Sequence, residues 1–321
     1  MNDLDSLRKA DDLWFSTDVV IIRAETRIFR VFAAILKARS SVFADMFSLP
    51  QPSESADMET MDGHPVITLH DKQEDVEVFL KAIFDSSFFM PPPAEIRFED
   101  ALAILRLSHK YDVGYLRRRA LEHLGPIYPT TLAGYDARAG QNKLSPETFI
   151  RRTSTLTTAV EVGALWLLPV VYYDMCKHDL AQILAPDSSW HTLGDHERTT
   201  SLLGHSAQIT QFPKIISFLC VSAAAGDACE NWINCNRLRM SVNLSITRNM
   251  KRAEMRFPLD MLTEETGWTK MKNFGLCSNC LVEARSLHAA ARQDLWDRLP
   301  QMFGLPGWEK LEELKREALA V

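Results

Sequence analysis

Strand patterns are confined to the N-terminal part of this sequence, and this asymmetry constrains its fold most strongly. The β-branched run at residues 19–22 is typical of a buried strand, and residues 26–31 are typical of its hairpin partner. A third strand is indicated at 66–69. Helical spacing of apolar residues follows the hairpin at 33–47 and follows the third strand at 75–84. The sequence therefore predicts a small sheet with helices packed against it.

The rest of the sequence has helical periodicity and almost no strand pattern. Helices predicted at 101–111 and 115–124 complete the first region, which ends at Gly125 and Pro126. Segment 130–146 is polar and is predicted to be a loop. Prolines separate the helices predicted beyond it, because proline removes a helical hydrogen bond. These helices cover residues 155–168, 170–184, 194–203, 209–224, 228–250, 276–299 and 308–319.

Together these patterns predict an α+β chain in which a small sheet with helical hairpins precedes an all-α region. The predicted limits are an N-terminal arm at 1–13, an α+β domain at 14–125 and a helical C-terminal domain at 126–321. Hydrophobic residues make up 46% of the chain and charged residues 24%, so both regions can bury a core.

The charge and the N-terminus narrow the choice of partners and compartment. A net charge of −6 gives no overall attraction to nucleic acid or to anionic membranes. We find no secretory signal and no apolar run long enough to span a bilayer. We therefore expect an intracellular protein, in the nucleus or the cytoplasm, with reduced cysteines and neither membrane nor nucleic-acid partners.

Several stretches of the first region match one known family. Asp18 and Val19 open the first strand, residues 34–47 read AILKARSSVFADMF, and residues 105–116 read LRLSHKYDVGYL. Together with the apolar pattern at 67–80, they resemble the BTB/POZ domain, which has the same order of strands and helices. The resemblance implies a BTB/POZ fold over the first region and a protein that pairs with other proteins.

Pairing in this family buries an apolar face built by the N-terminal arm, the first strand and the following helix. The corresponding residues here are Leu13, Trp14, Phe15, Val19, Val31, Phe32, Ile35 and Leu36. Plain core packing within one chain is the alternative for several of them. The resemblance implies a homodimer or a heterodimer, and a role as a scaffold or adaptor. Some family members bind a cullin through a hydrophobic-x-Glu element, for which residues 75–78 offer no clear equivalent.

Two segments of the helical region carry a second resemblance. Residues 163–173 read GALWLLPVVYY and residues 296–308 read WDRLPQMFGLPGW. Both are similar to segments of fungal, basidiomycete-type BTB proteins with a helical C-terminal region. This similarity implies architecture rather than activity.

The cysteines are the strongest chemical candidate in the sequence. Cys277 and Cys280 form a C-x2-C pair, and Cys229 and Cys235 lie upstream. Four thiolates could hold a structural zinc ion, and His288 could replace one of them. The alternatives are ordinary buried thiols at the start of a helix, or a redox pair, which the absence of a βαβ pattern disfavours. Bound zinc would favour an alternative function for the chain, that of a zinc-containing nuclear transcriptional regulator.

Recognisable catalytic motifs are absent from the sequence. It contains no G-x-S-x-G, P-loop, G-x-G-x-x-G or H-E-x-x-H pattern. We therefore expect a non-enzymatic protein with no cofactor other than the zinc considered above. An enzyme hidden in the helical region would require a deep pocket with convergent titratable groups.

Overall fold

The computed structural model describes residues 18–48, 59–138, 146–220, 229–249, 254–262 and 267–320. The chain divides into two compact units, with the boundary between Leu124 and Gly125. The predicted arm at 1–13 lies outside the described residues, and the predicted domain limits stay predictions. Among the described helices, none combines the length and the apolar character needed to cross a membrane.

The first unit contains a four-stranded sheet. Its strands are β1 (Val19–Ala24), β2 (Arg27–Phe32), β3 (Thr60–Met61) and β4 (His64–Leu69). The strand order is β2-β1-β4-β3, with β1 antiparallel to β2 and parallel to β4. The predicted hairpin is confirmed, and Glu25 turns it with a positive φ of 49°. β3 was missed because two exposed residues give no alternating pattern.

Five helices complete the first unit: α1 (Ala33–Arg39), α2 (Ser41–Ser48), α3 (Gln73–Phe84), α4 (Phe98–Lys110) and α5 (Gly114–Leu124). Ser40 explains the break between α1 and α2. Its hydroxyl donates to the backbone oxygen of Tyr111 and accepts from the amide of Phe43, which starts the new helix. The rings of Phe43 and Tyr111 stack with centroids 4.8 Å apart, so this contact anchors the helices in the core. The small sheet with helical hairpins is therefore confirmed.

The described residues of the second unit form helices and contain no strand, which confirms the all-α prediction. The helices are α6 (Leu132–Asp136), α7 (Pro146–Glu161), α8 (Leu168–Met175), α9 (Leu180–Ile183), α10 (Asp195–Ile215), α11 (Trp232–Asn249), α12 (Thr269–Asn273), α13 (Ser278–Asp297), α14 (Leu299–Met302) and α15 (Trp308–Leu319).

Helix α10 differs most from the prediction, because it joins the helix predicted at 194–203 to the first part of the helix predicted at 209–224 and ends at Ile215. Residues 221–224 of that prediction lie outside the described residues. Its buried side is largely polar and includes Ser201, His205 and Gln208. Gln208, for example, donates to the backbone oxygen of Tyr173 at 3.4 Å. Apolar periodicity cannot reveal a helix that buries polar side chains, so the middle of α10 was missed.

Further segments depart from the prediction, and one of them is the helix predicted at 155–168, which the structure shows as α7 at Pro146–Glu161. The predicted loop at 130–146 contains α6, which begins where the hydroxyl of Thr131 accepts from the amide of Gly134 at 3.1 Å. The helix predicted at 170–184 is interrupted between α8 and α9, where the carboxylate of Asp179 caps α9. Short polar caps of this kind decide where helices begin, and a hydrophobic pattern does not detect them.

Candidate interaction face and candidate metal centre

The outer face of the first sheet exposes large apolar side chains. In the β1–β2 register, Val19 pairs with Phe32 and Arg23 pairs with Ile28. Directly paired residues project to the same side of a sheet, so these four side chains share one face. Phe32 and Ile28 are each 51% exposed. We call this surface the outer sheet face.

The predicted pairing residues divide between this face and the core. Val19 and Phe32 lie on the outer sheet face, whereas the half-buried Val31 projects to the opposite side of β2. Ile35 is half-buried on α1, and Leu36 is fully buried in the core. Leu36 therefore supports the surface from beneath and offers no area for contact. The remaining three predicted residues lie outside the described part of the chain: Leu13, Trp14 and Phe15.

Sequence reasoning missed Ile28 as part of this surface. The signal was available, because Ile28 and Phe32 are four residues apart and strand residues at even spacing share a face.

A groove of about 500 Å³ opens beside Val19. Val66 and Phe47 contribute to its walls, and Lys37 lies over the Phe47 ring with its Nζ 5.5 Å from the centroid. Asp18 also lines the groove, so apolar walls carry one positive and one negative group. Such a groove can accept an apolar side chain and orient a polar one.

The second unit brings the four predicted cysteines together. The Sγ atoms of Cys229, Cys235, Cys277 and Cys280 all lie within 4.8 Å of one another. Cys229 Sγ is 3.8 Å from Cys277 Sγ and 3.3 Å from Cys280 Sγ. We call this group the cysteine cluster. Convergence is the geometric requirement for the predicted metal site, and zinc itself stays a prediction.

Two helix starts position the cysteine cluster. Cys277 is the N-cap residue of α13, and Cys280 lies in the first turn of that helix. Cys229 precedes α11, and Cys235 lies in its first turn. Cys235 and Cys280 are buried, while Cys229 and Cys277 are half-buried. The cluster therefore lies at the edge of the core, where an ion could enter from solvent.

The environment of the cluster separates the acidities of its thiols. Burial alone would raise the pKa of Cys277, but the backbone N–H groups of Cys280 and Glu230, together with neighbouring thiols, lower it to about 7. Burial, followed by the neighbouring thiols, raises the pKa of Cys280. One thiolate therefore forms readily, and several adjacent thiolates require a compensating cation.

Sequence reasoning missed Arg239, which lies one helical turn after Cys235. Its side chain is buried, and its Nη2 donates to the backbone oxygen of Cys280 at 3.2 Å and to the Glu283 carboxylate at 2.6 Å. Both partners belong to α13, so Arg239 links α11 to α13 beside the cluster. The four-residue spacing from Cys235 was the available signal, since it places both side chains on one face of a helix.

His288 does not join the cluster. Its ring packs against Trp268 and Phe218, with centroid distances of 5.3 and 5.7 Å. Burial, together with Arg292, lowers its pKa to about 4. The suggestion that His288 replaces a cysteine is therefore wrong for this structure, because stacking places the ring elsewhere.

Titratable groups also converge at a cavity of about 540 Å³ in the second unit. Tyr135 and Asp260 line it, and the Tyr135 hydroxyl donates to the Asp260 carboxylate at 2.9 Å. Arg292 lines it as well and pairs with Asp136. These four groups are paired with one another, and the buried His288 also lines the cavity.

Behind this cavity lies a buried ionic network centred on Asp174. Its carboxylate lies 2.8 Å from Nη1 of Arg138 and 3.0 Å from Nζ of Lys177. Burial alone would raise the pKa of Asp174, but Lys177, Arg138 and Arg152 outweigh it and lower the pKa to about 2. The mutual pairing favours a structural role for the network.

Comparison with known proteins identifies the first region. Residues 4–125 match the family model of the BTB/POZ domain. No curated protein and no solved structure matches the chain. The first region therefore carries a BTB/POZ domain, as the motifs predicted, and such domains mediate protein–protein interaction. The similarity of the helical region to fungal proteins stays a prediction.

Proposed function

Since residues 4–125 carry a BTB/POZ domain, we propose that this protein is a non-enzymatic interaction protein that pairs through its outer sheet face. The observation that carries the proposal is the exposure of Phe32 and Ile28 on one face of that domain. The partner in the proposal is a second copy of the chain, since a two-fold dimer needs only one self-complementary surface. Leu13, Trp14 and Phe15 are also predicted pairing residues and lie outside the described part of the chain.

Burial of this face explains why pairing would be favourable. Each Å² of apolar surface removed from water contributes about 25 cal/mol, and obligate dimers bury ~2,000 Å² or more. Phe32 supplies a large rigid ring, the groove beside Val19 supplies a complementary recess, and Arg23 supplies a charged rim. Apolar anchors surrounded by polar groups are typical of protein interfaces.

Light scattering on the purified full chain tests the proposal. We expect a dimer for the wild type, and monomers for Phe32→Asp and Ile35→Asp, because a buried carboxylate at an apolar interface is costly. Met90→Asp is the matched control, since Met90 is 46% exposed in the same domain but outside the sheet and α1. Circular dichroism should show that all variants retain the fold.

The outcomes separate the partner classes. A wild-type monomer would exclude the second copy and would leave a different protein as the partner of this face. A dimer that survives both face variants and is lost in Met90→Asp would place pairing elsewhere.

Binding to a cullin is the more specific adaptor function, and the local structure gives it little support. Val76 is fully buried, and the Glu77 carboxylate pairs with Arg27 and Lys81. The side chains after the third predicted strand are therefore engaged within the domain. Titration with a purified cullin N-terminal domain tests this role directly, and a complex at micromolar concentration would establish it.

A zinc-containing nuclear regulator is the second candidate, and the convergence of the four cysteines favours it. Such a protein needs a basic surface as well, and the described arginines of α5 are partly engaged. Arg119 donates to the backbone oxygen of Phe89, and Arg118 pairs with Glu122. Imaging of a fluorescent fusion tests this candidate, because exclusion from the nucleus would rule it out.

A further inference from the structure

The cysteine cluster carries an inference that is independent of pairing through the first unit. We propose that Cys229, Cys235, Cys277 and Cys280 together bind one Zn²⁺ ion, which fixes the start of α11 to the start of α13. On binding, each of the four thiols loses its proton to solvent and forms one zinc–sulfur bond. The site is closed, with four protein ligands and no position left for a substrate.

The distances between the sulfur atoms fit this site. Tetrahedral coordination with Zn–S bonds of about 2.3 Å places the sulfurs about 3.7 Å apart. The distances from Cys229 Sγ to Cys277 Sγ and Cys280 Sγ, 3.8 and 3.3 Å, lie around this value, and no pair of the four sulfurs exceeds 4.8 Å. A small inward movement of side chains is therefore enough to coordinate the ion.

The arrangement argues against a redox pair. A redox C-x2-C pair needs only its own two cysteines. Here Cys280 Sγ lies near Cys229 Sγ, from a residue 51 positions away in the chain. Four thiols drawn from two chain segments to one point provide the soft, tetrahedral ligand set that zinc prefers.

The arrangement also argues against ordinary packing of small apolar side chains. Cys229 and Cys277 are half-buried, so they do not fill the interior of the core. Four thiolates and one zinc ion leave two net negative charges, which need a nearby cation. The guanidinium of Arg239 donates to the backbone oxygen of Cys280 and pairs with Glu283, so it holds the Cys280 backbone in place beside the cluster.

Zinc coordination would join segments that are distant in the chain. Cys229 and Cys277 are 48 residues apart, and the segment between them contains α11 and α12. Closing a loop of this size by a metal restricts the unfolded chain, and the bonds are available only when both helix starts are formed.

Metal analysis of the full chain tests the proposal. The protein is purified under reducing conditions from zinc-supplemented medium and analysed by plasma mass spectrometry. We expect about one zinc ion per chain in the wild type and less than about a tenth of that in a Cys229→Ser/Cys277→Ser double variant. Cys220→Ser is the matched control, because Cys220 is an exposed cysteine of the same unit outside the cluster, and it should keep the full zinc content.

A second measurement uses the wild-type protein and therefore does not depend on whether the double variant folds. Wild-type protein is stripped with a chelator under reducing conditions and titrated with Co²⁺, which gives an intense visible band only in tetrahedral thiolate sites. We expect the band to saturate at one equivalent, to disappear when Zn²⁺ is added, and to be retained in Cys220→Ser. Absence of zinc in the purified wild type, together with absence of this band, would overturn the proposal, as would a disulfide within the cluster in the unreduced intact mass.

Discussion

The two units of this molecule differ in how many charged side chains they bury. The core of the first unit is built on apolar residues such as Ile22, Leu36 and Phe43, all fully buried. The core of the second unit contains charged residues, among them Asp174 and Lys177, with no more than 2% of either residue exposed. Apolar burial follows from the hydrophobic effect alone, whereas buried charges are tolerated only where each one finds its partner. The second core therefore depends on specific pairs, and single substitutions there should act through electrostatics.

We expect the largest effect on the free energy of unfolding from removing the Asp174 carboxylate, which lies at the centre of the ionic network. Asp174→Asn removes the negative charge that faces Arg138 and Lys177. Both buried cations then lose an anionic partner. We expect a loss of about 3–5 kcal/mol in the free energy of unfolding, measured in urea. Asp195→Asn is the control, because Asp195 and its partner Arg198 form an exposed pair that contributes ~0–1 kcal/mol. Equal effects of the two variants would show that the second core does not depend on its buried ionic network.

In the first unit, the corresponding effect should come from removing apolar volume. Leu36→Ala leaves a cavity under the sheet, and we expect a cost of about 2–5 kcal/mol in thermal or urea unfolding. Ile28→Ala, at a half-exposed position on the outer sheet face, should change the unfolding free energy of the monomer by less than ~0.5 kcal/mol. A large effect of Ile28→Ala on a chain that is monomeric would show that this residue belongs to the core.

We expect the next largest change in the free energy of unfolding from a substitution at a close contact in the second unit. A Cβ atom at Gly204 would clash with the Phe303 ring, which stacks on Tyr172 at 5.1 Å. We expect Gly204→Ala to cost about 1–3 kcal/mol through overpacking. The exposed Ser206→Ala, on the same helix, should be nearly neutral. Combining Gly204→Ala with Phe303→Leu should recover part of the loss, and full additivity of the two costs would contradict a direct clash.

The last expected effect is a pH dependence that originates at His178. Burial, followed by the nearby Arg152 guanidinium, lowers the pKa of His178 from 6.5 to about 3. The unfolded chain therefore takes up a proton at His178 near pH 6.5, and the folded chain does not. The contribution of His178 to the free energy of unfolding is fully present above pH 6.5 and decreases as the pH falls toward 3. One such group contributes a slope of up to about 1.4 kcal/mol per pH unit.

Urea unfolding between pH 7 and 5 measures this slope. We expect it to be smaller in His178→Gln than in the wild type, and unchanged in the control His196→Gln, at an exposed position. An identical slope in all three proteins would show that His178 is protonated equally in the folded and unfolded chain.

The sequence predicted most of what depends on apolar pattern or on cysteine spacing. The hairpin of β1 and β2 and the helices α3, α4 and α5 follow from alternation and helical period. The sequence motifs also identified the BTB/POZ domain. The four cysteines were named from their spacing, although spacing alone could not establish that they meet.

The features that sequence reasoning missed depend on polar contacts made across long distances in the chain. Nothing local to Asp174 indicates that Arg138, 36 residues earlier, will neutralise it. The continuity of α10 through His205 and Gln208 was missed for the same reason, because these residues are buried against partners elsewhere. The placement of Phe32 and Ile28 on one face, by contrast, required only the register of the hairpin.

The boundary between Leu124 and Gly125 has a consequence for synthesis on the ribosome. The first unit is built from one continuous stretch of chain, so it can fold, and meet a partner, while the rest is still being translated. The second unit must wait, since Arg292 binds Asp136 across 156 residues and Lys315 binds Thr130 across 185. If the chain pairs through its outer sheet face as proposed, nascent chains on one messenger can assemble before either has completed its helical unit.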